Sequence, residues 1–181
     1  MTAAATVKAP PLAAVCACLL LLGWGELTGA LQGGFRTQIL ATAAEAAKDY
    51  PAVHQLTGLS DVDQTIIEGI AQEVLARLHL FHSHAHGLAL VTLVLVTIIA
   101  NLTCAERFRS WLTGWVLAGL LYPFGLLTVA LALPAKGKAA AFALAERWFF
   151  IPFGGLYLLA VGTLIALSAW QLLQGTVRRE T

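Results

Sequence analysis

Four of the chain's five histidines lie within eight residues, in the run Leu78-His79-Leu80-Phe81-His82-Ser83-His84-Ala85-His86. Imidazole is the commonest metal ligand, a haem ligand, and a group that titrates near neutrality. On a helix turning 100° per residue, His82 falls about 60° behind His79 and His86 about 20° behind it. These three therefore share a face, while His84 points almost opposite to His82. His82 and His86 stand one turn apart, at the i, i+4 spacing with which helical zinc sites grip one ion. Glu68, eleven residues before His79, returns to the same face, and Leu90, Leu93 and Thr97 continue it beyond His86. The spacing thus predicts a ligand set of His79, His82, His86 and Glu68 aimed into a helical bundle, with His84 facing away and mattering least.

The ion is a transition metal, copper, iron or zinc, or the iron of haem b. A haem held by two histidines usually draws them from facing helices, and the only histidine outside the cluster is His54. The sole methionine is Met1, so no methionine ligand lies inside the bundle. Glu26 and Glu73 are the nearest further carboxylates. The plainer reading is a structural cluster that hydrogen-bonds loops and headgroups, and a proton relay is a third. Cys16, Cys18 and Cys104 lie in or beside apolar runs and read as small buried residues; a C-x-C metal pair at Cys16 and Cys18 is a weak signal. The P-loop, the G-x-S-x-G elbow and H-E-x-x-H are absent.

The elements that must position these histidines are membrane helices. Apolar residues make up 59% of the 181-residue chain and charged residues only 12%, whereas a soluble domain carries about 25% charged residues. So few charges cannot cover a water-exposed surface. The net charge of +1 points to no nucleic-acid partner. A crossing needs roughly 20 apolar residues, and four stretches qualify, at about 12–31, 86–104, 111–133 and 148–173. The class is all-α: one integral membrane domain over 1–181, a four-helix bundle with a helical extracytoplasmic segment, 32–85, between helices 1 and 2. Thr28-Gly29-Ala30 also resembles a signal-peptide cleavage site, against which stand a single lysine before the apolar run and the length of that run.

The Ala105–Ser110 link is short and basic, and Arg178 and Arg179 mark the tail, so both belong in the cytoplasm with the two termini. The acidic 32–75 segment belongs outside, and a bacterial inner membrane is the expected location. Lys136 and Lys138, in the last external loop, run against the charge rule. Trp24 and Trp148 fit the outer interface, and Trp111, Trp115 and Trp170 the inner one. Within the outer segment, 36–48 reads as a helix ended at Tyr50-Pro51. Ser60 with Asp63 reads as a capping box opening a helix that runs unbroken from Asp61 to about Cys104. Tyr122-Pro123-Phe124-Gly125 is echoed by Ile151-Pro152-Phe153-Gly154, so each of the last two helices is expected to kink at its proline.

The run His82-Ser83-His84-Ala85-His86-Gly87, followed by an apolar helix, resembles small uncharacterised bacterial four-helix membrane proteins with an H-x-H at a helix head, distantly related to haem–copper oxidase subunits. The resemblance covers the second helix only and implies redox metal chemistry. Together these readings point to a small membrane subunit that binds haem or a transition metal and takes part in electron transfer. Its partners would be the lipid bilayer and other membrane subunits or further copies of itself. The alternatives are a non-catalytic accessory subunit of a larger membrane complex and a metal-ion transporter or chaperone.

Overall fold

A computed structural model describes residues 7–177, so Met1, Arg178 and Arg179 lie outside the described residues. The described chain is helical throughout, with no strand. Helix α1 spans Leu12–Gly34, α2 Arg36–Lys48, α3 Pro51–His54, α4 Ser60–Asn101, α5 Glu106–Gly119 and α6 Phe124–Ala145. A π-helical segment, Glu146–Gly154, then leads into α7, Gly155–Val177. Three helical stretches are long and apolar enough to cross a membrane: α1, α4 and the run Glu106–Gln174. α1 passes through Thr28-Gly29-Ala30 without a break.

α4 is the axis of the molecule. Its 42 residues rise about 63 Å, roughly twice the hydrocarbon thickness of a bilayer. Gly87 does not interrupt it. The helix begins where the sequence suggests, but not by the expected cap. Leu59 is the N-cap residue, no side chain caps the first turn, and Ser60 Oγ bonds Asp61 instead. The carboxylate of Asp63 reaches back out of the helix. It accepts the backbone N–H of Thr57 at 2.7 Å, that of Gly58 at 2.8 Å and the Thr57 hydroxyl at 3.1 Å. A carboxylate offers about four acceptor sites where a serine hydroxyl offers two, so the loop is pinned from Asp63. The end falls at Asn101, short of Cys104.

α1 and α2 run antiparallel to α4, with a bend at Phe35. On the other side of α4 the run Glu106–Gln174 folds back on itself. Gly137, with φ 73° and ψ 166°, is non-helical, a conformation open to glycine and costly for residues with a Cβ. It reverses the chain into two antiparallel arms. Gly119 meets Tyr157, Tyr122 meets Gly154 and Gly125 meets Phe150, and all three pairs are centred on Gly137–Lys138. The loop expected between 133 and 148 is thus a one-glycine turn between helical arms. The two proline echoes face each other across this hairpin, but they distort in opposite ways. Around Pro123 the hydrogen bonds tighten to i→i−3, as in Tyr122 N to Gly119 O and Leu126 N to Pro123 O. Around Pro152 the helix widens to the π form. Proline withholds a backbone donor in both places.

Three buried clusters hold these pieces. Ala43, Ala71, Val74, Val129, Leu133 and Ala141 join α2 and α4 to the hairpin tip. Cys18, Leu21, Ala85, Ala89 and Leu120 hold the middle. Ala14, Val96, Ile99, Leu112, Val116 and Leu164 close the far end. The small residues in the middle set, Cys18, Ala85 and Ala89, let α1 approach α4 closely. Large apolar side chains are left exposed in bands, among them Leu19, Leu20, Trp24 and Leu27 on α1 and Leu90, Val91 and Val94 on α4; Leu158, Leu159, Ile165 and Leu172 do the same on α7.

Candidate functional site

The buried stripe of α4 runs Phe81, Ala85, Ala89, Thr92, Val96 and Ile99. The histidines flank this stripe rather than forming it. His82 and His86 sit one position after Phe81 and Ala85, on the α1 side and half-buried; His84 sits one position before Ala85, on the hairpin side and exposed. His79 is exposed too, so the expectation that all three same-face histidines point into the bundle is corrected at His79. Leu90, expected beneath them as a packing residue, is 57% exposed. The cause is the small-residue stripe: Ala85 and Ala89 draw α1 against α4 one position away from the histidine face.

His82 and His86 are seated on glycines. A Cβ placed on Gly29 would lie 2.7 Å from the His82 ring, and one on Gly25 would lie 2.9 Å from the His86 ring. The two rings approach edge to face with centroids 4.4 Å apart. His82 Nδ1 is 2.8 Å from the Gly25 carbonyl across the seam, and His86 Nδ1 is 2.8 Å from the His82 carbonyl one turn back. A carbonyl can only accept, so each Nδ1 carries the hydrogen and donates it. His82 Nε2 is then left with its lone pair. His86 Nε2 lies 2.9 Å from Glu26 Oε1. With a carbonyl at one nitrogen and a carboxylate at the other, His86 has a hydrogen-bond partner on each side, and in its protonated form it makes an ion pair with Glu26. This pair is not sealed: the Glu26 side chain is 74% exposed and that of His86 26%. His79 completes the row, its ring centroid 6.4 Å from that of His82.

The remaining candidates lie elsewhere. Glu68, three turns above His79, accepts a hydrogen bond from Gln64 at 2.7 Å. Glu73 pairs with Arg77 and, at 3.2 Å, with Lys138 at the hairpin turn. His54 binds the Pro134 carbonyl at 2.6 Å. Cys18 is buried, Cys104 half-buried and Cys16 exposed; residues two apart on α1 face different ways, and the expectation that all three cysteines are buried holds at Cys18, in part at Cys104 and not at Cys16. Among the described residues, no group of three or more histidine, cysteine, aspartate or glutamate side chains is gathered in an arrangement that could hold a metal ion.

His84 has a separate environment. Its Nδ1 bonds the Leu80 carbonyl at 2.9 Å, and its ring faces that of Tyr122 with centroids 6.2 Å apart. Tyr122 in turn stacks on Phe150 at 5.1 Å, and Phe81 meets Phe124 edge-on at 5.4 Å. The residues that sequence reasoning left out are Gly25 and Gly29. Their signal was present as a Gly-x-x-x-Gly spacing inside an apolar helix, the pattern that admits a close neighbour.

No protein-family model, no curated protein and no solved structure matches this chain.

Proposed function

We propose that the chain is an integral membrane four-helix protein in which His82 and His86, joined by Glu26, bind a transition metal for electron transfer. In this reading α1, the lower half of α4 from about His86, and the two arms of the Gly137 hairpin make the four crossings. The exposed apolar bands face lipid, and α2, α3 and the upper half of α4 form the outer cap.

One observation carries the metal reading. Both inner histidines give their Nδ1 hydrogen to a backbone carbonyl, the second interaction that metal-ligating histidines ordinarily make to fix tautomer and ring orientation. The ligand atom, Nε2, is left facing outward on His82 and toward a carboxylate on His86. Two ligands at about 2.1 Å from one ion are spaced by roughly 3.0–3.4 Å. The 2.9 Å between His86 Nε2 and Glu26 Oε1 is within a few tenths of an ångström of that spacing, so an ion would replace the shared hydrogen with little movement. The ion would draw its third ligand from His82 Nε2, whose ring stays oriented by the Gly25 carbonyl, and His79 would be a fourth ligand or an orienting partner. Copper, zinc and non-haem iron fit a set drawn from two helices more readily than haem b, whose two axial ligands would have to come from opposite sides of the ring; of the three only copper and iron could carry the electron, since zinc has no redox chemistry.

A second reading is favoured by a specific observation as well. Both ring nitrogens of His86 already have partners, so the His86–Glu26 pair can serve as a clamp between α1 and α4 in an accessory subunit. The two are separated by elemental analysis and an absorption spectrum of the purified, washed protein. Metal binding predicts close to one ion per chain, lost in His82→Ala and His86→Ala, reduced in His79→Ala and retained in His84→Ala. A Soret band would replace the bare ion with haem. Failure to bind copper, zinc or iron after reconstitution, or an equal loss in His84→Ala and His82→Ala, leaves the clamp.

A further inference from the structure

Where α4 ends and α5 begins, far along α4 from the histidines, lies a cavity of about 450 Å³. The segment before α1, the last turns of α4 and the first turns of α5 enclose it. Its floor is apolar, made by Val96, Ile99, Ala100 and Leu117. Its polar lining gathers Lys8, Arg109 and Glu106 with the hydroxyls of Ser110 and Thr113. In the proposed topology the polar lining lies at the level of the cytoplasmic headgroups and the floor leads toward the hydrocarbon.

The fold holds the two cations in place without neutralising them. Asn101 ties the Lys8 backbone to the end of α4. Its Oδ1 accepts from the Lys8 N–H at 2.9 Å, and its Nδ2 donates to the Lys8 carbonyl at 3.1 Å. The half-buried Arg109 donates from Nη1 to the Leu102 carbonyl at 3.2 Å, which leaves the rest of its guanidinium fork to bind something else. A carbonyl carries no full charge, and among the described residues neither Lys8 nor Arg109 is paired with a carboxylate. The C-terminus of α4 and the N-terminus of α5 meet here, so their opposed dipole ends offset and the side chains set the charge of the site.

That charge selects the occupant. Two cations against the one carboxylate of Glu106 leave a surplus of one positive charge. A phosphodiester carries one negative charge, whereas a phosphate monoester carries nearly two at neutral pH and would be repelled by Glu106. A guanidinium fork beside hydroxyls suits phosphate oxygens, and the floor suits an acyl chain attached to them. Basic pockets between membrane helices on the cytoplasmic side hold lipid headgroups in this way.

We propose that this cavity binds one singly charged anionic phospholipid of the inner leaflet. Its phosphodiester lies on Arg109, Lys8, Ser110 and Thr113, a headgroup hydroxyl donates to Glu106, and an acyl chain covers the floor. The proposal rests on the membrane topology given above and is independent of metal at His82 and His86. The probe is phosphatidylglycerol, added to the full chain in neutral detergent and counted by native mass spectrometry against phosphatidylcholine and phosphatidic acid. One phosphatidylglycerol should stay bound per chain, in preference to phosphatidylcholine. Arg109→Gln should weaken it about tenfold, the worth of a charged hydrogen bond, and Lys8→Gln about fivefold. Lys8→Gln alters only an exposed side chain and keeps the test open if Arg109→Gln fails to fold. Glu106→Gln should raise the affinity for phosphatidic acid more than that for phosphatidylglycerol. Equal retention of phosphatidylcholine, or binding that neither cation variant weakens, overturns the proposal. So does displacement of the lipid by inorganic phosphate, which would make this a site for a soluble anion. Release of the chain from membranes by alkaline carbonate would overturn the topology and the proposal with it; with the chain retained, the other outcomes strike the lipid site alone.

Discussion

Two seams of this molecule are closed by the same device, a ring laid on a glycine, and they differ in which ring is used. Between the hairpin arms the rings are Tyr157 on Gly119 and Phe150 on Gly125; between α1 and α4 they are His82 on Gly29 and His86 on Gly25. Phenyl and phenol rings gain by leaving water, so even half-buried, as Tyr157 and Phe150 are, they need no partner for their ring edges. Imidazole gains little from apolar contact and must keep its nitrogens bonded. It therefore lies at the flank of the buried stripe, with each Nδ1 tied to a carbonyl and His86 Nε2 tied to Glu26. The first seam holds shape, and the second keeps polar atoms at a helix contact without stranding any of them. This is why the second is the candidate site.

The comparison can be broken most sharply at the glycines. In Gly119→Ala the new methyl would lie 2.2 Å from the Tyr157 ring and 2.8 Å from its Cβ, so the whole side chain, not its tip, is in the way. Overpacking of this kind costs about 1–3 kcal/mol. The expected result is the largest fall in thermal midpoint of any substitution in this set, with Gly125→Ala smaller because it meets only the far edge of Phe150. Gly29→Ala should cost less again, because the new methyl would meet only the His82 ring, at 2.7 Å, and not its Cβ. Gly23→Ala, with nothing within 4 Å, should be neutral. If Gly29→Ala proves as damaging as Gly119→Ala, the imidazole seam is as rigid as the aromatic one and the contrast fails.

Gly137 tests the hairpin at its turn. At φ 73° a side chain is strained, and a Cβ there would also lie 3.0 Å from Val53 Cγ1. Gly137→Val should lower stability by about 1–3 kcal/mol, read as a shift of the thermal midpoint in detergent. His82→Phe then sharpens the comparison from the other side. It keeps a flat ring over Gly29 and loses the bond to Gly25 O, so stability should change by no more than about 1 kcal/mol. Bound metal, on the proposed reading, should fall several-fold. A variant that keeps its metal would remove His82 from the site.

What could be read from the sequence was whatever depends on neighbours a few residues apart. The unbroken α4, the α2 helix and the one-turn spacing of His82 and His86 are local, and the hydrophobic stretches of α1 and α4 are simple sums. Contacts across 57 or more residues were not legible. The Ala85–Ala89 stripe decided which face of α4 meets α1, and it turned His79 outward and moved the histidines to the flank. Glu26 was one carboxylate among several until the α1 register placed it at His86. The hairpin was read as a loop because the apolar stretches end at about 133 and resume at about 148, whereas one glycine at positive φ reverses the chain with helix on both sides. The distortions at Pro123 and Pro152 are opposite although the two four-residue motifs echo each other, so the motif alone does not encode them.

The two sides of α4 also end differently near its N-terminus, and there the expected effect is smallest. The hairpin is closed by Gly137, a backbone device that pH does not touch. The α2–α4 side is closed by the loop before α4, held on the Asp63 carboxylate. The Thr57 backbone N–H is the largest influence on Asp63, and with the Gly58 N–H and the Thr57 hydroxyl it holds the carboxyl below its usual range. All three donors favour the ionised form, and the first turn of α4 adds its positive dipole end. Because the folded state binds the proton less readily than the unfolded chain, this contribution is complete above the unfolded pKa of about 3.9 and is lost as pH falls through the lower folded value. Wild type should therefore exceed Asp63→Asn in thermal midpoint at neutral pH, and the gap should close only in the acid range. Gly137→Val, measured beside it, should show a gap that does not vary with pH. A difference between wild type and Asp63→Asn that persists unchanged at the most acid pH would mean the loop is held by packing and not by the carboxylate.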